Sequence, residues 1–124
     1  MALRQIVLTV VLLSTLGGCA HELPEPILVT APERAKPEGL RWAVEAALAQ
    51  RGWTVVKRDP GLIRATVTSN ATGDHATVEV RYRPGAVEIL YVFQDVGWSR
   101  YDRWVQLLSA ELRKSVALVG IGDS

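Results

Sequence analysis

The chain has 124 residues, 48% apolar and 22% charged, which excludes a disordered or collagen-like polymer and leaves room for one domain with one small core. Its 14 basic and 13 acidic residues give a net charge of +1, and without Arg4 the two signs balance, so the composition carries no footprint for nucleic acid. A single cysteine excludes an intrachain disulfide, and two histidines are a poor supply for a metal site.

The first segment explains the cysteine. Met1-Ala2-Leu3-Arg4 is a short positive start, and Ile6 to Leu16 is an apolar run broken only by Thr9, Ser14 and Thr15. A membrane span needs about 20 apolar residues, and this run stops short at Gly17-Gly18. The order of charge, apolar run and small residues is the layout of a signal peptide over residues 1–18. Its end, Leu16-Gly17-Gly18-Cys19, resembles a bacterial lipobox, with small residues that admit the peptidase and a thiol that takes the lipid. The resemblance implies cleavage between Gly18 and Cys19, and diacylglycerol plus an N-acyl chain, such as palmitate, on Cys19. Several acyl chains exceed the two-signal threshold for stable anchoring, at about 0.8 kcal/mol per buried methylene. Resemblance to lipoproteins of two-membrane bacteria implies that Ala20, where an aspartate would favour retention, permits export to the outer membrane, on its periplasmic face, with the inner membrane and the cell surface as the alternatives. No other cofactor is expected, and a lipidated cysteine is neither a nucleophile nor a redox thiol.

Residues 19–37 hold Pro24, Pro26, Pro32 and Pro37 among charged residues and read as a lipidated, extended tether. Ile27-Leu28-Val29 is an apolar exception, expected to pack on the domain. The domain is expected over residues 38–119, with a tail at 120–124. After Pro37, Leu40, Val44, Ala47 and Leu48 fall on one helical stripe, and Gly52 is a natural stop. Four strand-like runs follow, near 53–58, 62–70, 75–83 and 86–94.

Turn chemistry gives the register. Pairing across Arg83-Pro84-Gly85-Ala86 sets Tyr82 opposite Val87, Val80 opposite Ile89, Val78 opposite Tyr91 and Ala76 opposite Phe93 on one face. On the other face it sets Arg81 opposite Glu88. A loop over Ala71 to Asp74 predicts Val67 opposite Val78, Ala65 opposite Val80 and Ile63 opposite Tyr82. At Asp59-Pro60-Gly61, a three-residue turn with Gly61 left-handed predicts Val55 opposite Ala65, Trp53 opposite Val67 and Lys57 opposite Ile63. A second helix is predicted from a capping box, Ser99 to Asp102, through Tyr101, Trp104, Val105, Leu108 and Leu112 to Val116 or beyond, ending at Gly120-Ile121-Gly122. The expected fold is α+β, ordered α-β-β-β-β-α, a four-stranded antiparallel meander with both helices on one face.

The stretches "RGWTV", "IRATV", "HATVEVRY", "VEILY" and "YDRWVQLL" behind a lipobox resemble a group of small uncharacterised proteobacterial lipoproteins, over most of the mature chain. The resemblance implies a longer loop than Asp95 to Arg100 provides here. The resemblance implies localisation and fold, and its motifs are core positions with no catalytic residue to carry over.

Chemistry is sparse. His21 adjoins the tether, and His75 begins a strand beside Asp74, with the two side chains expected on opposite sides. No nucleophile is placed for either, so the chain is not expected to be an enzyme. Asn70-Ala71-Thr72 reads as turn chemistry, and Arg64, Arg81 and Arg83 lie among Glu79 and Glu88 on a solvated face. The fourth strand is apolar on both faces over Leu90 to Phe93 and is the last of the meander, an edge that invites another strand. The expected partner-binding residues are Leu90, Val92 and Trp98, unless the Val96-Gly97-Trp98 loop folds over the first two. The function expected is a membrane-anchored interaction or envelope-structural module that binds a protein or envelope component. The alternative is a ligand or enzyme pocket between sheet and helices.

Overall fold

The computed structural model describes the backbone of residues 22–122 and the side chains of residues 22–119. Strand β1 (Ile27–Thr30) leads to helix α1 (Pro37–Gln50), then strands β2 (Thr54–Asp59), β3 (Leu62–Thr68), β4 (His75–Arg83) and β5 (Ala86–Gln94), and helix α2 (Trp98–Gly122). The sheet has the order β1-β5-β4-β3-β2 with every neighbour antiparallel, and both helices cover one face. The fold is α+β as expected, with five strands where four were expected.

The additional strand is the apolar patch inside the expected tether. Its β-branched residues Ile27, Val29 and Thr30 suit a pleated surface. Pro26 and Pro32, which cannot donate to a ladder, bracket it. It pairs with β5 from Ile27 opposite Ile89 to Thr30 opposite Ala86, and Val29 is fully buried. The patch therefore packs on the domain, and the sheet begins within the stretch assigned to the tether.

Helix α1 starts on Pro37, whose fixed φ suits a first turn, with Glu38 near the positive end of the helix dipole. Leu40, Ala43, Val44, Ala47 and Leu48 form its buried stripe. Gly52, at φ +80°, ends it, and the Trp53 N–H donates to the Leu48 carbonyl at 2.8 Å. Helix α2 starts one residue before the expected cap. The Tyr101 N–H donates to the Gly97 carbonyl at 2.9 Å, so Gly97 opens the helix and Ser99 lies inside its first turn. The helix also continues through Gly120 to Gly122. Tyr101, Val105, Leu108, Leu112 and Val116 are its buried stripe.

Two β-bulges set the registers. Between β4 and β5 the pairs Tyr82–Val87, Val80–Ile89, Val78–Tyr91 and Arg81–Glu88 form as expected. Val92 then has no partner, so Thr77 faces Phe93 and Ala76 faces Gln94. The expected Ala76–Phe93 pair is thus corrected, and Phe93 turns to the face that the helices leave open. Between β2 and β3 the loop is the two-residue Pro60-Gly61 turn, with Asp59 opposite Leu62 and Arg58 opposite Ile63. A bulge at Val56 then restores the expected Val55–Ala65 pair and places Lys57 opposite Arg64.

The β3–β4 register lies two residues from the expected one, with Val67 opposite Ala76, Ala65 opposite Val78 and Ile63 opposite Val80. The turn closes where the Ser69 N–H donates to the Asp74 carbonyl at 2.7 Å, with Gly73 left-handed at φ +79°. An even slip keeps each side chain on its face, so the core survives it.

Candidate functional site

The first half of β5 is not an edge, because β1 covers Ala86 to Ile89. Among the described residues no strand continues that pairing past Ile89, and Pro26, next in line, has no N–H to offer. Leu90, opposite Glu79, lies on the open face and is half-buried. Val92 sits at the bulge, 37% exposed, and Phe93 beside it is 42% exposed. The strands that bound the sheet are blunted: β2 by its bulge and by Lys57, Arg58 and Asp59, β1 by its length of four residues and its flanking prolines.

Trp98 does not join Leu90 and Val92. Its ring centroid lies 5.3 Å from Tyr91 and 5.9 Å from Tyr101, on the helix-covered side. Val96 packs against the core as well, while Val92 stays exposed and Leu90 half-buried. Phe93 takes the place that sequence reasoning gave to Trp98. The bulge that turns it outward leaves no mark in an alternating pattern of apolar residues. Cys19 and Gly18, the lipidation and cleavage residues, lie outside the described residues, as does His21.

His75 is partnered by Asp95, not Asp74. The His75 N–H donates to Asp95 Oδ1 at 2.7 Å, and the ring Nδ1 lies 3.9 Å from the same oxygen. The ring is 4.9 Å from that of Phe93. On the same face the Thr66 and Thr77 hydroxyls bond each other at 2.8 Å. This arrangement ties the start of β4 to the end of β5. Asn70-Ala71-Thr72 forms the tip of the β3–β4 turn, where Thr72 Oγ1 accepts from the Asp74 N–H at 3.2 Å.

The basic residues of the open face are neutralised locally. Arg64 meets Glu79 at 2.6 Å, Arg81 meets the other Glu79 oxygen at 3.6 Å, and Arg83 meets Glu88 at 2.9 Å. Glu88 stands opposite Arg81 as expected, yet its ion pair goes to Arg83.

Between sheet and helices the space is filled, by Leu40, Leu48, Ile63, Leu108 and Leu112 among others. Clefts lie at the periphery. One, of about 350 Å³, is formed where Glu22, Pro24 and Glu25 run past Trp98, Tyr101 and Asp102 at the start of α2. Burial, helped by Tyr91 and Asp102, pushes the Tyr101 phenol well above its ordinary pKa. No protein-family model matches the chain, and no curated protein matches it.

Proposed function

We propose that the chain is a lipid-anchored envelope protein, held on the periplasmic face of the outer membrane, whose domain docks a partner protein on the second half of β5. The observation that carries this reading is the end of the β1–β5 pairing at Ile89, beside the exposed apolar side chains of Val92 and Phe93. A partner strand laid along Leu90 to Gln94 gains backbone hydrogen bonds, and Leu90, Val92 and Phe93 supply side-chain specificity.

The lipobox residues support the anchor, and the fold adds a distance. Glu22 already lines the cleft beside α2, and Cys19 is three residues before it. An extended chain spans at most about 3.6 Å per residue, so three residues span at most roughly 11 Å, and a lipid on Cys19 would leave little free chain before the domain. The alternative of a ligand or enzyme pocket between sheet and helices draws no support from a filled core.

Two experiments test the two parts. A Leu90→Asp, Val92→Lys double variant that keeps its circular dichroism should lose its cross-linked partner in intact envelopes; unchanged adducts overturn the docking site. Cys19→Ala should abolish labelling by a fatty-acid probe and leave a precursor, and continued maturation at the same bond overturns the anchor.

A further inference from the structure

The end of α1, the tip of β3 and the outer flank of α2 enclose a shallow groove of about 400 Å³. Trp53 and Trp104, Arg51 and Arg103 line it together with Ser69 and Asn70, which supply hydroxyl and amide groups. Its local origin is simple. Arg51 caps α1, Gly52 turns the chain back, and Trp53 is buried beneath α2. One turn of α2 then presents Arg103 and Trp104 towards the β3–β4 turn.

The charge of the groove distinguishes it from its neighbours. The cleft beside the N-terminal segment carries Glu22, Glu25 and Asp102, and the cleft beside the Pro60-Gly61 turn carries Glu38 and Asp59 against its arginines. No carboxylate lines the groove between the tryptophans. Among the described residues neither the Arg51 nor the Arg103 guanidinium has an ion pair or a hydrogen bond; Arg34, Arg41, Arg100 and Arg113 share that state, so it is the absence of any carboxylate beside two arginines and not the unpaired state alone that marks the groove. The neighbours of Arg103 at three and four residues along α2 are Arg100, Gln106, Ser99 and Leu107, none of them acidic.

We infer that this groove is a binding site for an anionic saccharide, a sugar ring that bears a carboxylate or a phosphate. The guanidinium fork matches either group in a bidentate geometry. The half-buried Trp104 indole, backed by the buried Trp53, offers flat apolar surface against which the C–H face of a sugar packs, and the Ser69 hydroxyl and Asn70 amide suit its hydroxyls. The inference is independent of the docking site on β5, which lies elsewhere on the sheet.

The test uses the full chain and four probes, measured by calorimetry: a galacturonic acid oligomer, a neutral galactose oligomer of equal length, glucose 6-phosphate, and inorganic phosphate. The acidic sugars should bind at least about tenfold more tightly than the neutral oligomer and than inorganic phosphate, the margin expected of one charge-assisted hydrogen-bonded pair. Preference for the oligomer or for the sugar phosphate identifies which anionic group the guanidiniums select. Arg51→Gln with Arg103→Gln should remove the preference, Trp104→Leu should weaken both acidic sugars, and Arg41→Gln on α1 should change neither. Equal binding of acidic and neutral oligomers, equal binding of inorganic phosphate, absence of binding, or a preference that persists in the double arginine variant would each overturn the inference. All three variants change residues at the surface or half-buried, and an unchanged thermal midpoint verifies that each is folded.

Discussion

Arg58 on β2 grips Glu45 on α1 with both branches of its guanidinium, Nη2 to Oε1 at 2.9 Å and Nε to Oε2 at 3.0 Å. The contact exists because the bulge at Val56 turns Arg58 to the helix side, opposite Ile63. The hydrogen bonds from Arg58 hold the Glu45 carboxyl below its ordinary pKa. A depressed carboxylate pKa contributes stability that is present above the unfolded value and lost as pH falls through the folded one. Glu45→Gln should therefore lower the thermal midpoint by a small amount at pH 7, and the difference from wild type should vanish towards pH 3. Melting curves at both pH values decide this; a difference that is constant with pH removes the pair as its cause.

The same bulge shows why some of the register could not be read from the sequence. A two-residue turn at Pro60-Gly61 sets Arg58 against the core residue Ile63, which local patterning alone counts as a cost. That objection fails once α1 supplies Glu45, a residue 13 positions away, and local patterning does not contain that fact. β1 was hidden for a related reason. Four residues between prolines have too little periodicity to signal a strand, and their pairing partner lies some 60 residues on. What was legible was whatever depended on alternation and helical spacing: both helices, four strands and the core face. At the candidate site the apolar strand was legible, but the bulge that exposes Phe93 and the placement of Trp98 beside Tyr91 and Tyr101 were not.

Two buried serines on α2 should respond in opposite ways to the same substitution. Ser115 Oγ donates to the Ala43 carbonyl at 2.7 Å and so ties the two helices together. Ser109 Oγ is buried with no hydrogen-bond partner among the described residues. Ser115→Ala loses a buried hydrogen bond worth about 1 kcal/mol, offset in part by the better helix propensity of alanine. Ser109→Ala removes an unsatisfied polar atom and gains the propensity, so it should be neutral or stabilising. Urea denaturation of both variants measures the contrast, and equal destabilisation contradicts the hydrogen-bond assignment.

Tyr101 predicts the alkaline limit of the fold. It packs edge-on against Tyr91 at 5.4 Å and against Trp98 at 5.9 Å, and burial is the main reason its phenol resists ionisation. A pKa raised by folding contributes stability that is intact below the unfolded value, about 10, and is lost as pH rises beyond it. The loss is at most about 1.4 kcal/mol per pH unit for one proton. Tyr101→Phe has no proton to lose, so it should lose less stability than wild type between pH 9 and pH 11. Parallel losses in the two proteins would place the alkaline sensitivity elsewhere.

The bulge in β5 yields the sharpest separation between folding and docking. Val92 faces no residue of β4, and the pairs on either side of it, Val78–Tyr91 and Thr77–Phe93, are the ones a regular strand would make without it. Deleting Val92 should thus leave both flanking registers and both faces intact, with stability changed by no more than about 1 kcal/mol. Deleting Glu88 is the control, since a one-residue slip inside the β1–β5–β4 pairing sends either Val87 or Ile89 to the wrong face and should unfold the domain. The Val92 deletion straightens the strand and removes one exposed apolar contact beside Phe93, so the folded variant should lose its cross-linked envelope partner. A variant that melts like wild type and still captures the partner would show that the second half of β5 is not the docking surface.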